Sequence, residues 1–409
     1  NYIAPLECDD LLVTHAHADH IAGIIHHIQM NPEKPLNIYA DKFTHQFMFA
    51  EMTKQGLPLD NMPKFHDVKD GEKFMVNGFE IEPVPVTHSA PGAIAFVVES
   101  PDGTRMMDMG DFKTTKAELG KGWEDKRIAE VFAKGIDVCF CDSTSTTSKE
   151  VTPSYDAVTK GFKKILRDNP DAQMMVGTIA RSAQQMMADV IAVAEYAKET
   201  GTKPRTFILD GASLVQVNNC LNKSDMSMTK ACYERTGVRV NIIDAKSPEA
   251  RNVPPRERIY MVTGTQGEEM ASMARVARGE NRNIRPSRSC PNLCVNQQAV
   301  IPSGDNQAIV DEMMAKPTTF RDTVAPAIWK KSPIWLPPTS PRIVPARSSA
   351  FTAMKDRRRR PKKSSKARGR RSTTSQTRRR LSFPKDPFRF LRQSAKRPVS
   401  RLSIRTMIL

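Results

Sequence analysis

An α/β fold is predicted for most of this 409-residue chain, and three observations predict it. A short apolar run at 11–14 is followed at once by the helical spacing of Ile21, Ile24, Ile25 and Ile28. Residues 74–112 break into strand-like runs separated by the turn signals Asn77-Gly78 and Pro101-Asp102-Gly103. From 154 to 278, short apolar runs alternate with helical patterns of 10–19 residues, which implies βαβ units and a largely parallel sheet.

The run at 11–14 reads as a strand. It ends in His15-Ala16-His17-Ala18-Asp19-His20, and the isoleucine-rich helix opens straight after. Four metal-ligand side chains therefore lie between a strand end and a helix start, with the density and rigidity that a hydrolytic metal site needs. His15 and His17 are two apart, so they point the same way in an extended segment. Asp19 and His20 turn with the chain towards a second ion. Imidazole nitrogen with a carboxylate suits zinc, and manganese is compatible. A histidine cluster can also be a solvated helix start, but HxHxDH between strand and helix favours the metal reading.

The runs at 74–76 and 79–82 form a hairpin about Asn77-Gly78, and its second strand continues to Thr87-His88-Ser89. A strand at 93–98 and another ending in Met109-Gly110-Asp111-Phe112 follow. His88 and Asp111 thus both fall at strand ends. Cys139-Phe140-Cys141 lies on a further strand, with both thiols on one face. Helices are predicted at 154–167, 182–200 and 268–278, and strands at 173–178, 206–210 and 258–263. Gly211-Ala212-Ser213 is the turn into another helix. The methionine stripe at Met186 and Met187 reads as core, and His26, His27, His45 and His66 read as structural or exposed.

The order of THAHADH at 14–20, VTHS at 86–89, GDFK at 110–113, CDST at 141–144 and TGTQGE at 263–268 resembles the ribonuclease J group of β-CASP nucleases. The resemblance covers roughly residues 5–284. It implies a metallo-β-lactamase-type αββα sandwich, incomplete at both ends, with an inserted β-CASP-like parallel α/β domain. It also implies two divalent ions, Zn²⁺ or alternatively Mn²⁺, the first held by His15, His17 and His88. Asp19 and His20 would hold the second, with Asp111 bridging. A metal-bound hydroxide would then attack the scissile phosphorus, with Asp19 orienting or deprotonating that water and Asp142 close to the centre. Ser143, Thr144 and Ser213 are expected at the substrate. The family completes its second site with a histidine from an HxSGH segment, whereas the last of the eight histidines here is His88. The second site is therefore expected to be incomplete.

The domains expected are a metallo-β-lactamase-like part at 1–148 lacking its first strands, a β-CASP-like part at 149–284, a divergent segment at 285–349 and a basic, disordered tail at 350–409. Residues 350–409 hold 21 of the 62 Lys and Arg but only 2 of the 45 acidic residues, so the +17 of the whole chain sits there. Such a tail binds RNA by counterion release if it is genuine. The loss of periodicity after Arg285 favours a shifted reading frame instead.

No apolar run approaches the length of a membrane span, and no secretory signal opens the chain. Seven scattered cysteines argue against a disulfide framework and for a cytoplasmic setting. The function expected is hydrolysis of RNA phosphodiesters, as a 5′-to-3′ exonuclease, an endonuclease or both. Two alternatives stand beside it: a small-molecule metallo-hydrolase of the lactonase or thioesterase type, and a catalytically impaired RNA-binding remnant. RNA is the partner expected, and oligomerisation is left open.

Overall fold

A computed structural model describes residues 8–143, 153–265 and 268–296, with short strand segments at 321–322, 343–345 and 406–408. Thr144 lies outside the described residues, as does nearly all of the sequence after 296, including the expected basic tail.

Two sheets face one another in the first part of the chain. The first is parallel and orders β1 (Asp10–Leu12), β2 (Asn37–Ala40) and β3 (Lys64–Asp67), with Thr406–Ile408 along the outer edge of β1. The second comprises β4 (Phe74–Val76), β5 (Phe79–Pro85), β6 (Ile94–Glu99), β7 (Arg105–Asp108) and β8 (Val138–Cys141). It is antiparallel from β4 to β7, and β8 adds in parallel to β7. Helices α1 (Ala18–Met30) and α2 (Lys42–Lys54) follow β1 and β2, and α3 (Asp125–Ala133) precedes β8.

The two-residue period of each strand decides what it packs against. Leu12 joins Phe79, Ile81, Ile94, Phe96 and Val98 between the sheets. Its neighbours Leu11 and Val13 point the other way, onto Ile24 and Ile28 of α1 and Phe43 of α2. Ala95 and Val97 of β6, with Ala93 just before it, pack with Ile128 and Val131 of α3. The layers are thus helix, sheet, sheet, helix, as the αββα expectation requires. Asn77 and Gly78 take positive φ of 51° and 85°, the conformation of the hairpin turn predicted for them.

The second part is a parallel sheet ordered β11 (Ile242–Asp244), β10 (Thr206–Asp210), β12 (Arg258–Val262), β9 (Gln173–Gly177) and β13 (Asn292–Asn296). Helices α4 (Tyr155–Asp168), α5 (Ala183–Thr200), α6 (Ala212–Lys223) and α7 (Met228–Thr236) lie in the first half of its chain, and α8 (Pro248–Asn252) and α9 (Ser272–Ala277) in the second. The apolar residues of α5 and α6 share a core with α2, whereas Met273 and Val276 of α9 pack in a separate cluster with Ile208 and Tyr260.

Two elements differ from the sequence expectation. The helix predicted at 268–278 starts only at Ser272, because Gly264 (φ +111°) brings the preceding loop against Ala271 and Met273. Strand β13 lies beyond Arg285, where periodicity gave out. It is five residues long, and its register comes from its partner β9, Asn292 opposite Gln173 through Asn296 opposite Gly177.

The two parts meet along α2, α5 and α6. Phe47 and Met48 of α2 are buried in one cluster with Val190 of α5 and Leu214 and Val217 of α6. Gln184, in the first turn of α5, accepts hydrogen bonds from the amides of Glu118 (2.6 Å) and Leu119 (2.8 Å). Its side-chain amide donates to the Leu119 carbonyl (2.9 Å). The Gln184 backbone N–H donates to the Ser89 carbonyl at 3.3 Å, so the start of α5 touches the segment that carries His88.

Candidate metal centre

The HxHxDH run is extended as far as His17, which is the N-cap of α1, and its last two ligands lie in the first turn. The Val13 N–H donates to the Tyr39 carbonyl (2.9 Å), fixing the strand end that feeds the run. On the second sheet, Lys113 N–H donates to Thr87 O (2.6 Å), which ties the His88 segment to the Asp111 segment. Gly110 has φ +52°, and a Cβ there would lie 2.9 Å from Thr14 Cβ. Glycine at this position lets the Asp111 loop close against the strand end before His15.

Two ligand groups result. His15, His17, His88 and Asp111 offer one set, and Asp19, His20 and Asp111 the other, with the ligand atoms of each set within 4.8 Å of one another. The Asp111 Oδ2 atom is shared: it lies 3.9 Å from His15 Nε2, 3.7 Å from His88 Nε2 and 3.6 Å from His20 Nε2. Asp19 Oδ2 stands 3.9 Å from His20 Nε2. His88 Nε2 and His17 Nδ1 are 3.0 Å apart.

The donor set fits divalent cations. His15 is fully buried, its Nδ1 is 3.1 Å from Thr14 Oγ1, and its Nε2 has no hydrogen-bond partner. The His88 Nδ1 atom is likewise buried without one. A buried ring nitrogen aimed at three other ligands and bonded to none of them is what a metal would satisfy. Burial, with the neighbouring imidazoles, pushes His15 well below the usual histidine range, and burial takes His17 down to about 4. Both rings are thus neutral and free to coordinate near neutral pH. Burial opposes ionisation of Asp111, yet its hydrogen bond to His20 and the surrounding imidazoles hold its pKa below the usual carboxylate range. Burial also opposes the charge on His20, but Asp111 outweighs it and raises the pKa. The neutral imidazoles of His15 and His17 beside an ionised carboxylate are donors of the kind a zinc or manganese site uses.

The structure brings together all six residues expected as ligands. Asp142 and Ser143 directly follow β8, are half-buried and fall outside both ligand groups. Ser213 is exposed in the first turn of α6 and likewise outside them. Sequence reasoning passed over Ser89, whose Oγ is 3.3 Å from His17 Nε2. It also passed over Arg181, in the connection from β9 to α5. The available signal was position: an arginine just past the carboxyl end of a parallel strand, where open α/β sheets gather ligands.

A profile for the β-lactamase superfamily domain matches residues 5–190. The chain is 27% identical over 304 residues to ribonuclease J of Mycolicibacterium smegmatis, covering 74% of this chain and 50% of that one. Against ribonuclease J of Sinorhizobium meliloti it is 28% identical over 306 residues, covering 74% and 49%. It thus spans about half the length of these relatives. Among solved structures, a protein of unknown function from Enterococcus faecalis V583 aligns over 76% of this chain and 68% of its own, at 17% identity and a TM-score of 0.46. The chain is thus similar to ribonuclease J proteins over about half of their length, and its residues 5–190 match the β-lactamase superfamily domain.

Proposed function

We propose that this chain hydrolyses RNA phosphodiesters, as a 5′-to-3′ exonuclease, an endonuclease or both, using divalent metal. The observation that carries the reading is the pair of ligand groups sharing Asp111 at the junction of two sheets, beside a parallel α/β part. His15, His17, His88 and Asp111 would hold one ion, and Asp19, His20 and Asp111 a second, with Zn²⁺ preferred over Mn²⁺ for its affinity for imidazole. Bound there, such ions acidify a water and offset the charge that develops on a phosphoryl oxygen.

The residues themselves do the rest. Thr14 holds the His15 ring in place, and Asp111 aligns three imidazoles at once. Asp19 is largely exposed in the first turn of α1. There its carboxylate would orient the attacking water and accept its proton. Asp142, Ser143 and Thr144 would contact the substrate from the end of β8, and Ser213 from α6. Residues 1–148 and 149–284 would act as the catalytic and substrate-covering domains. A cytoplasmic location belongs to the same reading, and no helix among the described residues is long and apolar enough to cross a membrane.

A second reading, an impaired RNA-binding remnant, is favoured by the absence of any histidine after His88. A small-molecule hydrolase has less support, since it gives the parallel sheet no role. Metal content per chain, measured with nucleotide release from a 5′-monophosphorylated RNA, separates them. Nearly two ions with release supports the nuclease; RNA binding without release supports the remnant; neither binding nor release removes both.

A further inference from the structure

Arg181 is a cation that neither the ligand groups nor the fold accounts for. It sits in the short connection between β9 and α5, three residues before Gln184, whose N–H bonds to Ser89 O beside the metal ligands. Its guanidinium carbon lies 5.0 Å from the centre of the Phe47 ring on α2. It is half-buried, yet no carboxylate among the described residues lies within ion-pairing distance of it. Its charge is close enough to disfavour protonation of His15 and His17, and the more distant charges of Glu51 and then Asp19 act on it in return.

A half-buried guanidinium without a carboxylate partner costs folding free energy that a structural role would recover through an ion pair. Here the recovery is partial, through the aromatic face of Phe47. A guanidinium held over an aromatic ring keeps its N–H fork available to a ligand, and that fork can grip two oxygens of one phosphate. The carboxyl end of a parallel strand is also where α/β sheets receive anionic ligands.

We propose that Arg181, backed by Phe47, binds a phosphate of the RNA strand next to the one being cleaved and so sets the strand against the metal centre. It is a positioning residue: it holds the strand, while the metal ligands and Asp19 act on the scissile group. The inference rests on the ribonuclease reading above.

The test is binding of a 5′-phosphorylated, 2′-O-methyl phosphorothioate hexanucleotide, which resists cleavage, to the full chain with Zn²⁺ present. About 0.3 M salt screens the basic residues after 350. Arg181→Ala should weaken binding about tenfold and flatten the salt dependence by about 0.7 in log–log slope, one phosphate contact. Arg181→Lys, which keeps the charge but loses the fork, should bind at intermediate affinity with the slope unchanged. Phe47→Leu, which keeps Arg181 but removes its platform, should weaken binding a few-fold, again without changing the slope. A merely structural Arg181 would lower the melting temperature and leave the slope alone. Wild-type binding with an unchanged Arg181→Ala overturns this inference and spares the ribonuclease reading. A wild type that binds no RNA overturns both.

Discussion

At the residue scale, Asp111 and Asp41 show how position rather than residue type sets behaviour. Asp111 is ionised beside the neutral rings of His15 and His17, so Asp111→Asn should remove the shared anion. Metal content should fall at least by half, measured by atomic emission on dialysed protein, with the fold intact by circular dichroism. Asp41 caps α2, accepting from Phe43 N–H at 2.7 Å. Burial, only partly offset by that bond, pushes its pKa up to about 6. The folded state then holds a proton between about pH 4 and 6 that the unfolded state releases, so stability from this group falls as pH rises through that window. Asp41→Asn keeps the cap acceptor and removes the penalty. It should raise stability at pH 7 by on the order of 1–2 kcal/mol and flatten the pH dependence between 4 and 6, measured by urea unfolding. The six candidate metal ligands were legible because HxHxDH is dense and His88 and Asp111 end apolar runs. Arg181 was not, because one arginine in a loop has no pattern until the fold brings it to Phe47.

At the element scale, β1, α1, the strands β4 to β8, and α4, β9, α5, β10, α6 and β12 followed from alternation, helical spacing and turn residues, whereas β2, α2, β3, α3, α7, β11 and α8 were not read from the sequence. Gly264 and β13 did not follow either, since a loop forced by close packing and a strand whose register comes from β9 are properties of the tertiary structure. The contact between α5 and the metal-bearing part was equally invisible. It depends on one side chain, Gln184, satisfying three backbone groups near Leu119. Gln184→Leu keeps the volume and leaves those groups unpaired in a buried place. It should cost about 2–4 kcal/mol, read from the denaturant midpoint. Because the same helix start bonds to Ser89 O, metal affinity should fall too. Loss of stability with unchanged metal affinity would mean that α5 does not help to hold the His88 segment.

At the scale of the whole molecule, an αββα sandwich and a parallel α/β part share one apolar core, with the ligand groups where the second part begins to cover the first. The sandwich was readable from the motif order and the inserted sheet from its alternation. The sequence after 296, with its concentrated charge, lies almost wholly outside the described residues. Binding of metal to the folded state alone adds about 4 kcal/mol at a thousandfold excess over the dissociation constant. Chelation should therefore lower the melting temperature by roughly 10 °C, and Zn²⁺ should restore it. The central claim is that the ligand groups around Asp111 carry out RNA hydrolysis, and nucleotide release from a 5′-monophosphorylated RNA by the full chain tests it most directly. Release that needs added Zn²⁺ or Mn²⁺, stops with chelator and is lost in Asp111→Asn is the result predicted. Release that persists in chelator or in Asp111→Asn, or no release from metal-loaded wild type, would contradict it.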